Sequence, residues 1–479
     1  MSSMEASVLT ALRHREVAAM GKEGSDLADS GVRGEGDSKS DMIRLPWSRN
    51  TRSSWVLSVG CVMVIITCPF LVHMTWIALE YFDSSLSRAI GTMLEMGPVP
   101  FFIEYTAVPT KQEILGYGLW LVFQGTLYAY LPGRSKGRPT PAGHVLDYHT
   151  NGFLAWLITT SLFIAGIFFN VIDPTILVNH WGGLVTILNV YGFILATVAY
   201  LKARFASSHP KDNVHLGNFW YDFFMGVELN PRFGQDWDWK LFHNGRPGII
   251  AWTLIDISYT MYQYRTFGYV TKSILIVDIL QTFYVVDFFF HESWYLWTID
   301  IVLDHFGFNL AWGSAAWLPT IYTLQVQYLA RHPVEWSTLS AAAILLTGCA
   351  GYVLFRSVNN QKDLARRTEG DCTIWGKKAQ IVRCQYTTTD GRTNQSMLLC
   401  SGWWGIARHV NYVGDLMLSY AACATCGFQH LLPWTYAIFM TILLVHRCLR
   451  DEARLSAKYG DGWKEYCKAV PYRLIPGIW

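Results

Sequence analysis

Long apolar runs separated by short polar connections dominate the chain from Trp55 onward. Trp55 to Leu79 is 25 residues without Asp, Glu, Lys or Arg, and a helix needs about 20 such residues to cross the hydrocarbon core of a bilayer. Further runs occupy Ile114–Leu131, Gly152–Ile172, Trp181–Leu201, Phe308–Leu329 and Leu339–Phe355. Two more, around Ile249–Tyr262 and Ser273–Phe290, carry only aspartates as charged residues (Asp256 in the first, Asp278 and Asp287 in the second), and Leu416–His446 is long enough for two crossings broken near His430 and Pro433. This pattern predicts an all-α fold, a polytopic membrane bundle of roughly 8–10 transmembrane helices. It shows no internal repeat.

Residues 1–53 lack apolar periodicity and are rich in Gly, Ser, Asp and Glu, so a disordered N-terminal tail is expected there. The first apolar run starts too late and runs too long for a cleavable signal peptide. Residues 54–355 are expected to form the membrane bundle with the substrate pocket, and residues 356–479 a C-terminal part lying in the membrane and on its cytosolic side. Composition agrees with a lipid-embedded body. Of the 479 residues, 51% are hydrophobic and only 15% charged, against about 25% charged in soluble domains. The net charge of +2 says nothing about nucleic acid, but the 38 basic residues form no groove-like stripe, so nucleic-acid binding is not expected. Cys423 and Cys426 form a Cys-x-x-Cys pair within an apolar run. No second pair is present to complete a zinc site, so they are expected to pack a membrane helix, and no metal is expected.

Basic residues cluster before the first run (Arg44, Arg49, Arg52), after Phe355 (from Arg356 to Arg383), and in the tail from Arg447 to Arg473. Cytoplasmic flanks carry such an excess. Both termini are therefore expected in the cytosol, which requires an even number of crossings. Asn394-Gln395-Ser396 reads as a glycosylation sequon, but this orientation keeps it on the unmodified side.

The C-terminal region carries the candidate chemistry. Lys362 and Arg366 lie four residues apart and share a helix face. Arg447, Asp451, Leu455, Lys458 and Tyr459 follow the same spacing, and Tyr466 lies one heptad further. Between the two groups runs Gly402-Trp403-Trp404-Gly405-Ile406-Ala407-Arg408-His409-Val410-Asn411-Tyr412. Arg and Lys bind phosphate through charge-assisted hydrogen bonds, and aromatic faces stack planar bases. A membrane flank needs only the cations; it does not call for the aromatic and amide residues between them.

GWWGIARHVNYVGDLM (402–417), HRCLRDEARLSAKYGDGWKEY (446–466) and the ending VPYRLIPGIW resemble the sterol reductases of the endoplasmic reticulum, a family that includes the 14,15 and 24(28) reductases and the lamin B receptor. GRPGIIAWTLI (245–255), DFFFHESWYLWTIDIVLDHFGFNLAWG (287–313) and NQKDLARRTEG (360–370) are most similar to the members that reduce the 7,8 bond of sterol 5,7-dienes. The resemblance covers nearly everything after about residue 140. It implies a multi-pass enzyme of the endoplasmic reticulum membrane that uses NADPH to convert 7-dehydrocholesterol to cholesterol. The implied partners are the sterol, the bilayer and other sterol-biosynthesis enzymes of the same membrane. It also implies an NADPH site. Lys362 and Arg366 would hold the 2′-phosphate, and Leu399 and Trp404 would line the pocket. Asn411 and Tyr412 would bond the cofactor. Asp451, Leu455, Ser456, Ala457, Lys458, Tyr459 and Tyr466 would complete the wall, with Arg408, His409 and Arg447 nearby. The chain has no G-x-G-x-x-G, so no Rossmann turn is available.

An isolated sterol double bond accepts hydride poorly until it is protonated, so such a site needs an acid and must exclude water. Ionisable residues in apolar segments are the candidates: Asp287, Glu292, Asp300, Asp304 and His305, with Tyr284 and Tyr322 as weaker donors. Two other readings use the same residues. Membrane methyltransferases of the isoprenylcysteine type share Arg-His-x-x-Tyr and a Tyr-Gly-led element, but they lack the Lys362/Arg366 pair and carry Pro where Asn411 stands. A sterol-binding scaffold like the lamin B receptor has a folded N-terminal domain, for which residues 1–53 are too short. The His-rich clusters of di-iron hydroxylases are missing.

Overall fold

A computed structural model describes residues 55–387 and 393–479. The tail expected over residues 1–53 lies outside them. The longer helices are α1 (Trp55–Tyr81), α2 (Lys111–Tyr130), α3 (Gly152–Phe168), α4 (Trp181–Phe205), α5 (Pro247–Phe267), α6 (Lys272–Phe290), α7 (Thr338–Arg367), α8 (Val410–Ala424), α9 (Thr435–Tyr459) and α10 (Asp461–Ala469). Five helical segments, α1, α4, α6, α7 and the stretch containing α9, are long and apolar enough to cross a membrane. Helix α3 is a shorter apolar helix. The protein is a polytopic helical membrane protein.

Local chemistry sets the helix limits. Thr110 and Glu113 form a reciprocal capping box at the start of α2: Glu113 N–H donates to Thr110 Oγ1 at 3.3 Å, and Thr110 N–H donates to Glu113 Oε2 at 2.7 Å. Gly268 closes α5 in a left-handed conformation. The break expected near His430 and Pro433 is present, since α8 ends at Ala424 and α9 begins at Thr435. The apolar run expected at 308–329 is not one regular helix. Phe308–Trp312 passes into a π-turn at Gly313–Trp317, and Pro319 follows. Pro lacks the N–H that a regular turn needs, and π-turns recur at functional sites. Beyond this break, Gln281 of α6 ties the chain to α5: it accepts from Trp252 Nε1 at 2.9 Å and donates to the Tyr322 carbonyl and to Gln325 Oε1 at 3.0 Å.

The helix expected to stop near Phe355 runs on to Arg367, which carries Lys362 and Arg366 on its last turns. Helices α7 and α8 pack backbone to backbone at Gly351 and Gly414. A Cβ on Gly351 would stand 2.6 Å from the Gly414 carbonyl oxygen, and one on Gly414 would stand 2.5 Å from that of Gly351. Small residues at a helix contact permit this approach in membranes, where packing rather than water exclusion drives association. Between the two helices lies an antiparallel hairpin of β1 (Ile381–Thr387) and β2 (Thr393–Leu399), registered from Ile381↔Leu399 to Thr387↔Thr393. An all-α expectation contains no such hairpin. Cys423 and Cys426 are buried free thiols, Cys423 donating to the Pro433 carbonyl at 3.2 Å. Among the described residues, no group of His, Cys, Asp or Glu is arranged to hold a metal.

Candidate functional site

Three parts of the chain meet on the side where α7 and α9 end. Lys362 Nζ lies 4.7 Å from the centre of the Trp404 ring, and Trp404 Nε1 donates to the Val358 carbonyl at 2.8 Å, which fixes the indole against α7. Lys362 is surrounded by the charges of Arg366, Asp451, Arg138 and Arg454. Lys458 lies 3.8 Å from the Tyr386 ring centre, and Tyr459 meets Ser396 Oγ at 3.0 Å. Arg366 is on the same side, near Arg138, Arg454 and Tyr459. Neither Lys362 nor Arg366 has an ion pair among the described residues; Asp363 is taken by Arg367 instead. Cations gathered without matching carboxylates repel one another unless an anion joins them.

His409 and Tyr412 stack face to face, centroids 5.1 Å apart and planes 5° apart. His409 Nε2 and Asn411 Oδ1 are buried with no hydrogen-bond partner among the described residues. Such orphans are costly in a folded chain unless a ligand or water satisfies them. Burial pushes His409 down to about 4, which keeps its ring neutral at pH 7. A cofactor with a phosphate at one end and an amide-bearing ring at the other fits this donor set: uncompensated cations, aromatic faces and unsatisfied polar atoms.

Not every expected wall residue joins this cluster. Leu399 is buried with Val358, Ile374 and Val410 in a small apolar core behind Trp404. Tyr466 is buried with Trp463, Val382 and Cys384 beneath the hairpin, with Leu455 against them. Ser456 and Ala457 are exposed. Arg408 is held by Glu452 at 2.5 Å and by the Val470 carbonyl at 3.0 Å, tying the tail to α9. Asp451 pairs with Arg454 at 2.8 Å. Arg138, which lies on the Trp297 ring at 4.8 Å, was missed by the sequence reading. It sits in a polar loop 224 positions before Lys362 (362 − 138), and nothing local ties it to the C-terminal cations.

The candidate acids divide in two. Asp287 is bound by Arg356 and by the Tyr352 hydroxyl at 2.8 Å. Glu292 is buried against Arg246 and accepts the Gly152 N–H at 2.8 Å. Asp300 meets Arg447, and Asp304 meets Arg450, each at 2.5 Å. A guanidinium offers only donors, so the carboxylate oxygens it meets serve as acceptors. His305 Nε2 lies 3.0 Å from the Asp212 carbonyl. Tyr322 stands apart from these pairs. Its ring meets Trp252 at 5.5 Å and Tyr436 at 5.0 Å, and Asp415, Arg447 and Asp300 are its nearest charges. Asp415 also faces Tyr284 and Tyr436. The sequence reading missed Asp415 as well, although it lies within the 402–417 stretch.

A cavity of about 570 Å³ runs among α2, α3, α4, α5 and the π-turn segment, lined mainly by aromatic and aliphatic side chains. Ligand pockets typically measure about 300–1,000 Å³. Its polar lining includes Glu113, Thr159, His180, Tyr191, His243 and Ser314.

Residues 52–479 match the ergosterol biosynthesis ERG4/ERG24 family. The chain belongs to this sterol reductase family. It is 44% identical over 447 residues to a 7-dehydrocholesterol reductase of Danio rerio, covering 90% of this chain and 93% of that protein. It is 45% identical over 446 residues to a 7-dehydrocholesterol reductase of Xenopus laevis, covering 90% and 94%. A Delta(14)-sterol reductase of Dictyostelium discoideum is 35% identical over 431 residues, covering 88% and 90%. The chain is thus a membrane sterol reductase, an oxidoreductase of sterol biosynthesis. Its Arg-His-x-x-Tyr element, shared in pattern with methyltransferases, lies inside the family match.

Proposed function

We propose that this sterol reductase reduces the 7,8 double bond of 7-dehydrocholesterol with NADPH, in the endoplasmic reticulum membrane, at the end of cholesterol biosynthesis. The 44–45% identity to two proteins named for that substrate carries the choice of double bond. The choice of cofactor rests on Lys362, which lies on the Trp404 face, and on Arg366 near it, neither of which forms an ion pair among the described residues. Lys362, Arg366 and Arg138 hold the 2′-phosphate; Lys458 and Tyr459 flank it. His409, Asn411 and Tyr412 meet the polar ring, His409 as a neutral imidazole. When bound, the cofactor supplies the hydride.

The chain's own residues supply the proton and exclude water. Tyr322 gives its hydroxyl proton to the sterol; in support, it is held by no arginine, unlike Asp287, Glu292, Asp300 and Asp304, and its ring packs on Trp252 and Tyr436. Asp415 and Arg447 set the field around that hydroxyl. The aromatic wall of Trp252, Tyr284 and Tyr436 keeps water from the cationic centre that protonation creates. The division into a bundle of residues 54–355 and a nucleotide-binding part of residues 356–479 belongs to the same proposal, with α7 running through both. The deciding experiment supplies purified protein with a sterol 5,7-diene and NADPH and identifies the product. Loss of the 7,8 bond supports the proposal. Reduction of a 14,15 or side-chain bond with the 5,7-diene untouched overturns the substrate and leaves the family standing.

A further inference from the structure

The large cavity is mainly apolar, yet its one carboxylate, Glu113, stands against an imidazole, that of His180, in its wall. His180 Nδ1 lies 2.9 Å from Glu113 Oε1, and both residues line the cavity. Glu113 has a second bond already, since its Oε2 accepts the Thr110 N–H at 2.7 Å. Two N–H donors converging on one carboxylate leave it the acceptor in both, so His180 carries its proton on Nδ1. Nε2 then presents a lone pair. It has no protein partner among the described residues, and the side chain is 35% exposed.

The approach of the two residues is built into the fold. A Cβ on Gly183 would lie 2.1 Å from Glu113 Oε2 and 2.5 Å from its Cδ. A glycine one turn into α4 thus makes room for a carboxylate from α2. From Glu113 to Phe123 the cavity follows α2 for ten residues (123 − 113), about 15 Å of helix. Pro247, Ala251, Leu254 and Ile255 of α5 line it as well. The slot is mainly apolar; besides the His180–Glu113 pair its wall holds a second polar pair, Tyr191 and His243, whose imidazole Nε2 is already met by the Tyr191 hydroxyl at 2.7 Å.

We propose that His180 Nε2, oriented by Glu113, accepts the hydrogen bond of the 3-hydroxyl of a free sterol, and that this selects free 3-hydroxy sterols over their ethers, esters and 3-ketones. The proposal rests on the sterol reductase reading and deepens it. A neutral acceptor facing a hydroxyl donor recovers one hydrogen bond. An ether, ester or ketone oxygen has no hydrogen to give, so the lone pair stays unmet. Glu113 is a positioning residue, because it sets the imidazole tautomer and touches no ligand.

The test measures equilibrium binding of a labelled 3β-hydroxy 5,7-diene sterol and of its 3-O-methyl ether to the full-length protein in lipid, with no cofactor added. Wild type is expected to favour the free hydroxyl about 3- to 10-fold, the range of one neutral hydrogen bond. His180→Ala removes the difference by weakening only the hydroxy sterol. His180→Gln, which keeps an acceptor oxygen, restores part of it. Equal binding of both sterols by wild type overturns the proposal and needs no variant to fold. So does equal weakening of both by His180→Ala, which would mark the pair as a tie between α2 and α4. A protein that reduces the diene but shows no preference loses the hydroxyl site and keeps the reductase reading. A protein that neither binds nor reduces it loses both.

Discussion

Arg447 reaches Asp300 across 147 residues of sequence, Nη2 to Oδ1 at 2.5 Å. The next turn repeats the contact, with Arg450 meeting Asp304 at 2.5 Å. This double latch fastens α9 to the Ile299–Val302 turn and places Arg447 beside Tyr322 and Tyr412. A hydrogen bond between charged groups contributes about 1.5–3 kcal/mol, and both residues are largely buried, at 13% and 25% exposure. Asp300→Ala and Arg447→Ala are each expected to lower the thermal unfolding midpoint, and the double change to cost less than the two single costs added. A thermal double-mutant cycle measures the coupling, expected at about 0.5–3 kcal/mol; strict additivity contradicts the latch.

The phosphate cluster makes a sharper claim. Arg366→Ala and Lys362→Ala are each expected to weaken NADPH binding about 10- to 100-fold. Arg138→Ala, exposed and at the rim, is expected to weaken it less, by about 2- to 5-fold. NADH lacks the 2′-phosphate and should bind the variants and wild type alike. Apparent affinities for both nucleotides, at matched protein level, give the answer. An unchanged NADPH-to-NADH ratio removes these residues from the site.

Tyr322→Phe keeps the ring contacts with Trp252 and Tyr436 and deletes the hydroxyl. If Tyr322 is the acid, kcat falls about 10²- to 10⁴-fold while sterol and nucleotide affinities hold. Single-turnover reduction and separate binding measurements distinguish this from a packing defect. A full rate in the Phe variant transfers the proton to another group, with Asp415→Asn as the next variant to measure.

His409 gives a pH dependence with a definite sign. Burial lowers its folded value from 6.5 to about 4. Below pH 6.5 the unfolded chain binds a proton that the folded chain refuses, so acid favours unfolding. This contribution appears as pH falls below 6.5 and levels off near 4; by pH 5 it amounts to about 1–2 kcal/mol. Denaturation at pH 7 and pH 5 should show the loss, and His409→Gln should flatten that part of the curve. A slope unchanged by the substitution rejects the assignment.

Topology is tested by protease. Both termini are expected on the cytosolic side, with the basic hairpin region between α7 and α8. Tags at either end of the chain in sealed microsomes should be digested without detergent. Protection of one tag requires an odd number of crossings.

Much of the bundle was legible in the sequence because membrane insertion depends on local composition. Uncharged runs of sufficient length must be helices, since lipid offers the backbone no other partner. The runs at 55–79, 181–201 and 273–290 accordingly became α1, α4 and α6 with small shifts at the ends. Lys362 and Arg366 share a face in the sequence and in the structure, because a four-residue spacing is a property of the helix itself. The π-turn at Gly313–Trp317 could not be read in this way, because no local spacing marks it. Tertiary packing alone brought Arg138 to the C-terminal cations, engaged Asp300 and Asp304 with arginines and set Asp415 among three tyrosines. It also placed His180 against Glu113, 67 residues away. The range of the interaction explains the division. Helix formation is decided within a few turns of chain, whereas the charge partners of a side chain are decided by which helices touch, and no spacing along the sequence encodes that contact.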